Sequence, residues 1–295
     1  MRHAVLGAGG VGGLVGGALA KAGHRVTLLV RPGRRDLYPG RLSVESETLG
    51  AFEVSVQVAD LLDGRFEVIW ITVKATALEA ALRAVPPERL NDSVLVPLLN
   101  GVDHVERLRE GYGAERVLPG TIRVEAEQLG LGRVRHLSAF ADVQVAPMPA
   151  TQARAEALCE DLHGAGLGCE VRDDEVTMLW SKLCFLAPFA LATTASGGPL
   201  GLVRSDSGWW SRLEGCVKEA CAVALAEGAK VAPEPILATL KEAPEGFRSS
   251  MQKDVAAGRP PELKAIAGPI LHRGTKHGID VSATRALVDR IVELE

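Results

Sequence analysis

A glycine pattern near the start of the chain is the first arrangement that could do chemistry. Gly7-Ala8-Gly9-Gly10-Val11-Gly12 joins an apolar run to a helical pattern of apolar residues. In such a turn Gly7 permits a tight bend, Gly9 admits a pyrophosphate close to the backbone, and Gly12 lets the helix pack on the strand. The free N–H groups at the helix start, at Gly10 and Val11, would face the phosphates. This context favours a dinucleotide site over a merely glycine-rich turn.

The end of the next apolar run indicates which dinucleotide would bind. Leu28-Leu29-Val30 leads into Arg31-Pro32-Gly33-Arg34-Arg35, and the first acidic residue after these is Asp36. An NAD site favours a carboxylate here for the ribose diol, whereas an arginine accommodates the 2′-phosphate of NADP. The sequence therefore predicts NADP. The alternative is a solvated basic loop, because charged loops are common.

Two polar residues follow apolar runs that have the character of buried strands. Lys74 follows Val68-Ile69-Trp70-Ile71-Thr72-Val73, and Asn100-Gly101 follows Val94 to Leu99. In open α/β sheets, ligands bind outside the carboxyl ends of the strands. Taken singly, Lys74 could be a surface lysine and Asn100 a turn residue before glycine. Together they favour a cofactor cleft.

Lys182 and Glu262 are the candidates for acid–base chemistry. Lys182 stands in the apolar run from Met178 to Leu186, where desolvation would lower its pKa and make it a proton donor near neutral pH. The alternative for Lys182 is a charge at the edge of the helix. Pro260-Pro261 predicts a helix start with Glu262 in its first turn. For Glu262 alone, ordinary charge compensation at a helix N-terminus is the favoured interpretation.

The elements that must position these residues form an α/β pattern. Apolar strands over 1–6, 25–30, 66–73 and 93–99 alternate with helices that carry Val11 to Ala22 and Ala77 to Ala84. This alternation predicts a parallel, Rossmann-type sheet, to which residues 116–147 would add short antiparallel strands. From about residue 172 the pattern is helical. We therefore expect a dinucleotide-binding domain over 1–170 and an all-α substrate and catalytic domain over 171–295.

Composition excludes several other classes of protein. The 295 residues carry a net charge of −4, which provides no broad basic field for nucleic acid. The odd number of cysteines, without a CxxC pair, argues against a disulfide framework or structural zinc. The N-terminus lacks a signal-peptide pattern, and prolines and glycines interrupt the apolar stretch from Leu183 to Val203. We expect a cytoplasmic protein that acts on a small molecule, without a metal, a membrane or a nucleic acid as partner.

Taken together, these motifs resemble the ketopantoate reductase (2-dehydropantoate 2-reductase) family. The resemblance extends over essentially the whole chain and is most specific in its second half. The matching segments are the glycine motif, Val73-Lys74-Ala75, Leu98-Leu99-Asn100-Gly101-Val102, Trp180-Ser181-Lys182-Leu183, Arg248-Ser249-Ser250-Met251-Gln252-Lys253-Asp254, Glu262, Gly268 and Lys276-His277-Gly278-Ile279.

The resemblance implies a role for each matching residue. Lys182 corresponds to the general acid that protonates the ketone oxygen while NADPH delivers hydride, and Glu262 to the carboxylate that holds substrate and lysine in place. Ser250 corresponds to the contact of the substrate carboxylate, and Arg31 to the contact of the 2′-phosphate. Lys74 and Asn100 correspond to cofactor and active-site contacts. A homodimer is one assembly that the resemblance allows.

The sequence departs from the family pattern beside the lysine. The family commonly places asparagines one and two turns after it, but here these substrate-facing positions are Leu186 and Ala190, with Pro188 between them. The expected reaction is therefore reduction of ketopantoate or of a more apolar 2-oxo acid. The alternatives are a β-hydroxyacid or imine reductase of similar architecture and a non-catalytic NADP-binding sensor. A sensor would not need the proton donor.

Overall fold

The chain folds into two compact units in a computed structural model that describes residues 1–294. The first unit comprises Met1–Leu99 and His104–Glu175. The second comprises Asn100–Asp103 and the chain from Val176 onward. The short segment Asn100–Asp103 therefore belongs with the helical unit, although the residues before and after it in the sequence belong to the first unit. A single domain boundary in the sequence cannot describe this division.

The first unit is built on a parallel five-stranded sheet in the order β5-β2-β1-β6-β7. Its strands are β1 (Arg2–Leu6), β2 (Arg25–Leu29), β5 (Gln57–Ala59), β6 (Val68–Ile71) and β7 (Val94–Pro97). In the central register, Val5 pairs with Leu28 on one side and with Trp70 on the other. Except for the edge strand β5, these strands are almost continuously buried, as expected for a parallel sheet covered on both faces. The predicted parallel Rossmann-type sheet is confirmed.

Helix α1 (Gly10–Lys21) packs against this sheet on one side and against a second sheet on the other. The remaining helices that begin before residue 170 are α2 (Leu78–Leu82), α3 (Asp103–Tyr112) and α4 (Gln152–Gly164). The predicted helix over 77–84 is shorter than expected, because a 3-10 turn at Ala75–Ala77 precedes α2.

The sequence predicted that residues 116–147 add antiparallel strands to the first sheet. This prediction was wrong. These residues contribute instead to two further sheets, in the orders β4-β3-β10-β9 and β12-β11-β8. The strands concerned are β3 (Arg41–Ser46), β4 (Phe52–Ser55), β8 (Gly120–Arg123), β9 (Ala126–Gly130), β10 (Arg133–His136), β11 (Asp142–Val145) and β12 (Gly168–Val171). The prediction failed because β3, whose sequence alternates between apolar and polar residues, offers β10 a parallel partner.

One local prediction about the first unit was also wrong. Cys159 on α4 and Cys169 on β12 form a disulfide, although the odd cysteine count argued against such bonds. The turn after α4 brings the two residues together, with their Cα atoms 5.0 Å apart.

The described residues of the second unit form helices joined by loops, without a strand, as predicted. Its helices are α5 (Glu175–Ser196), α6 (Leu200–Ser205), α7 (Ser207–Ala226), α8 (Pro233–Glu242), α9 (Ser250–Ala256), α10 (Leu263–Ile266), α11 (Gly268–His277) and α12 (Ser282–Val292). Helix α5 runs uninterrupted through Pro188, although that residue cannot donate a backbone hydrogen bond. Among the described residues, α5 is the one helix long and apolar enough to cross a membrane. However, 67% of its most apolar stretch is buried, as in the core helix of a globular unit.

Candidate functional site

The glycine turn between β1 and α1 has a backbone that side chains would not tolerate. Gly7 has φ +104°, and a Cβ there would lie 2.7 Å from Val73 Cγ1 and 2.8 Å from the Val73 nitrogen. A Cβ on Gly12 would collide with the Gly7 carbonyl oxygen and with Thr72 Oγ1. These close approaches seat the start of α1 directly against the ends of β1 and β6. They agree with the turning and packing functions that the motif predicts.

Gly9, by contrast, faces open space. A Cβ on Gly9 would meet no atom within 4 Å, and Gly9 caps α1 without a side-chain hydrogen bond. Helix α1 begins at Gly10 and Val11, and no acidic residue lies in its first turn. The turn thus offers room for a ligand, free backbone N–H groups and the positive end of a helix dipole. These features fit a dinucleotide pyrophosphate.

Three side chains hold this turn in place, and the motif did not predict them. Thr72 Oγ1 donates to the Gly7 carbonyl at 2.7 Å. The Tyr38 hydroxyl and Gln128 Nε2 both donate to the Ala8 carbonyl, at 3.0 and 2.9 Å. Burial raises the pKa of Tyr38, so its hydroxyl remains a donor at neutral pH. Only Thr72, which directly follows an apolar strand, carried a signal in the sequence.

The predicted cofactor residues of the first unit follow neighbouring strands at the same edge of the sheet. Leu6, Leu29 and Ile71 are the last residues of β1, β2 and β6, and Leu6 pairs with both of the others. The three strands therefore end side by side, and the chain continues from them into Gly7, toward Arg31 and toward Lys74. Arg31 and Lys74 are exposed. Arg31, Arg34 and Arg35 make no salt bridge with another residue in 1–294, which leaves these guanidinium groups available to an anion.

Lys182 and Glu262 are brought together in the second unit. Burial of Lys182 on α5 lowers its pKa from 10.5 to about 8, while the negative charge of Glu262 acts in the opposite direction. Glu262 is itself buried, at 6% exposure. Asn100 Nδ2 donates to Glu262 Oε2 at 3.4 Å, so Glu262 interacts with both Asn100 and Lys182. An ammonium ion held near its pKa is suited to donating a proton.

The position of Glu262 differs from the prediction. It lies at the N-cap of α10 rather than in the first turn of a helix, and its side chain makes no capping hydrogen bond. Compensation of helix charge therefore does not account for its burial. A buried carboxylate is stabilised by nearby cations and hydrogen-bond donors. Lys182 and Asn100 supply these.

The two serines before α9 have different environments. Ser249 is buried, and its Oγ accepts from the Gln252 N–H at 3.1 Å and lies 3.0 Å from Thr193 Oγ1. Ser250 is the first residue of α9 and is exposed. Ser249 is thus occupied in capping the helix, whereas Ser250 can reach a ligand.

The wall beside Lys182 is apolar, but its two predicted positions are not equivalent. Leu186 is partly exposed, whereas Ala190 is fully buried in the core of the unit and does not line a surface. The same helix carries Phe185 and Phe189, whose ring centroids lie 6.0 Å apart. Phe247 stacks on Phe189 at 4.5 Å. Leucine and phenylalanine therefore dominate this part of α5.

Comparison with known proteins matches both units. The family model for ketopantoate reductase PanE/ApbA matches residues 3–150, and the model for its C-terminal domain matches residues 175–295. A 2-dehydropantoate 2-reductase of Caulobacter vibrioides is 30% identical over 295 residues, covering 97% of this chain and 96% of the relative.

Solved structures match over the full length of the chain. A 2-dehydropantoate 2-reductase from Geobacter metallireducens is 25% identical, with a TM-score of 0.91 and coverage of 100% of both chains. A PanE/ApbA family ketopantoate reductase from Ralstonia eutropha is 27% identical, with a TM-score of 0.89 and coverage of 100% of this chain and 98% of the other.

Proposed function

This chain belongs to the ketopantoate reductase family, and from that premise we propose that it reduces a 2-oxo acid to a 2-hydroxy acid with NADPH. The observation that carries the proposal is the pairing of Lys182, which is partly exposed, with the buried Glu262, in which desolvation lowers the pKa of the lysine to about 8. A binding protein without turnover does not need a proton donor whose pKa is lowered toward neutrality.

Lys182 acts as the general acid in this proposal. A nicotinamide dinucleotide held at the turn from Gly7 to Gly12 would supply the hydride for the carbonyl carbon of the substrate. As negative charge develops on the ketone oxygen, the Lys182 ammonium stabilises it and transfers a proton from Nζ, which leaves a neutral amine. Proton uptake from solvent then restores the ammonium. Glu262, with Asn100 as its hydrogen-bond donor, keeps the lysine charged and oriented.

NADP is the proposed cofactor because of the cations that follow β2. The turn from Gly7 to Gly12 would hold the pyrophosphate through the N–H groups of Gly10 and Val11. Arg31 would contact the 2′-phosphate, and the first carboxylate comes only at Asp36, within a 3-10 turn. Lys74, exposed at the end of β6, would add a further positive charge.

The proposed substrate is ketopantoate or a more apolar 2-oxo acid. Ser250 would bind the carboxylate common to all such substrates. Leu186 offers no hydrogen bond to a hydroxyl in the tail, and a buried hydroxyl without a partner costs about 1–3 kcal/mol. A branched apolar tail avoids this cost. Phe185 and Phe247, both partly exposed, extend the apolar surface.

A panel of 2-oxo acids tests the proposal. Steady-state oxidation of NADPH is measured by absorbance with ketopantoate, 2-oxoisovalerate and a panel of unbranched 2-oxo acids. We expect turnover of at least one branched compound, with a hydroxy acid as product. NADPH binding without turnover of any member would contradict the proposal and favour a sensor.

A further inference from the structure

Arg273 on α11 joins three separate segments of the second unit. Its Nη2 donates to Asp103 Oδ1 at 2.8 Å, and its Nη1 donates to Glu227 Oε2 at 2.5 Å. Its guanidinium lies 5.5 Å from the centroid of the Trp180 ring. The side chains of Arg273 and Glu227 are only 18% and 13% exposed, so solvent screens this pair less than a surface salt bridge.

Other basic residues on the same helix also lie close to Asp103 or to Glu227, but each of them contacts only one of these two carboxylates. His272 lies 3.8 Å from Asp103, while Lys276 and His277 pair with Glu227. Burial acts to raise the pKa of Glu227, but the hydrogen bond from His277 and the charge of Arg273 bring it down to about 2. Glu227 therefore stays charged at all physiological pH values. Arg273 alone in this group contacts both carboxylates and an indole.

The indole contact fixes the segment of α5 that carries the proposed acid. Trp180 is 2% exposed and precedes Lys182 by two residues on the same helix. In a close-packed interior a large buried ring determines how its helix is rotated and translated. The guanidinium over this ring therefore helps to set the point from which the Lys182 side chain extends.

The contact between Arg273 and the Asp103 carboxylate fixes the segment Asn100–Asp103, which hydrogen-bonds to Glu262. Asp103 closes the segment Asn100–Asp103, and Asn100 donates to Glu262. Within this segment Gly101 has φ +88° and lies so close to the Ala265 carbonyl that a Cβ would not fit. Anchoring Asp103 thus holds Asn100 and the start of α10 in register.

We propose that Arg273 is a positioning residue that sets the placement of Lys182 relative to Glu262 by holding Trp180 and Asp103 together. The inference rests on the proposed function, because it assigns Arg273 a role in that reaction. Arg273 does not touch the reacting atoms. Its effect on the rate passes through Lys182, since a misplacement of about 1 Å can reduce a rate by about 10²-fold.

A double-mutant experiment separates positioning from general stability. Arg273→Met is made in the parent and in a Lys182→Met background, and kcat, KM and the NADPH Kd are measured for the best 2-oxo acid. Arg273→Lys is the second variant, because it keeps the charge and the fold but cannot bridge both acids. Arg290→Met is the matched control, since Arg290 pairs with Glu293 on the exposed side of α12.

We expect Arg273→Met to lower kcat by about 10-fold or more, with KM within about 3-fold and the NADPH Kd unchanged. Arg273→Lys should lower kcat by about 3-fold, and Arg290→Met by less than about 2-fold. Once Lys182 is absent, Arg273→Met should change the residual rate by less than about 2-fold. Should Arg273→Met fail to fold, Arg273→Lys is compared in the two backgrounds instead.

Equal losses in both backgrounds would overturn the inference, because they would show a general structural effect. An active parent whose kcat is unchanged by Arg273→Met would overturn it as well and leave the proposed function intact. A parent that binds NADPH but turns over no 2-oxo acid would overturn the proposed function, and the inference with it.

Discussion

Replacing Glu262 by glutamine removes the negative charge that keeps Lys182 protonated. In the parent, burial lowers the pKa of Lys182 from 10.5 to about 8 against the opposing effect of Glu262. This lowering corresponds to about 3 kcal/mol against the charged form. An opposite charge within a few ångströms typically raises a lysine pKa by about 1–3 units. Glu262→Gln should therefore bring the pKa of Lys182 to about 7 or below.

The size of the effect on activity depends on pH. With a pKa of about 8, Lys182 is almost fully protonated at about pH 6 and about one-tenth protonated at about pH 9. With a pKa of about 7, it is about nine-tenths protonated at about pH 6 and about one-hundredth at about pH 9. The parent-to-variant ratio from this cause should thus grow from about 1 to about 9 across this range. If the variant also loses activity because Lys182 is positioned less well, that loss does not depend on pH. It would then multiply the parent-to-variant ratio by the same factor at both pH values.

Profiles of kcat against pH, with both substrates saturating, provide the assay. Glu242→Gln is the matched control, because Glu242 is an exposed glutamate at the end of α8. Its profile should coincide with that of the parent. If the ratio for Glu262→Gln stays constant from about pH 6 to about pH 9, Glu262 does not act on the charge of Lys182, and the argument from the pairing of these two residues is refuted.

Three further variants test the other assignments. Lys182→Ala should reduce kcat by about 10²-fold or more while the NADPH Kd, from fluorescence titration, stays nearly intact; retained turnover would move the proton donor elsewhere. Arg31→Ala should weaken NADPH more than NADH in the same titration, and equal Kd values for both cofactors in the parent would contradict the assignment. Leu186→Asn should shift kcat/KM toward ketopantoate and away from 2-oxoisovalerate, which the parent should accept within about one or two factors of ten. A parental preference for ketopantoate above about a thousandfold, roughly 4 kcal/mol, would disprove the apolar-tail argument.

Local patterns were enough to predict the elements that carry the site. Strands β1, β2, β6 and β7 are rich in apolar residues because both faces of a parallel sheet are buried. The glycine turn could be predicted because its backbone requires glycine at fixed positions, as the φ of Gly7 illustrates. Lys182 stood out because a charged residue within an apolar helical run needs a reason to be there.

Features set by distant contacts could not be predicted. Gln128 reaches the Ala8 carbonyl across 120 residues of sequence, and Arg273 reaches Asp103 across 170. Strand β10 found a parallel partner in β3 rather than in the first sheet, since pairing depends on which edge the fold leaves open. The disulfide between Cys159 and Cys169 depends on the turn after α4 rather than on any cysteine spacing.

Transfer of a labelled hydride tests the central claim most directly. The protein is incubated with ketopantoate or 2-oxoisovalerate and with NADPH that carries deuterium at C4 of the nicotinamide, in the stereochemical position that is transferred. The product is analysed by mass spectrometry and NMR. We predict a 2-hydroxy acid with one deuterium at C2. A 2-hydroxy acid without deuterium at C2, or no reduced product from any 2-oxo acid, would contradict the account.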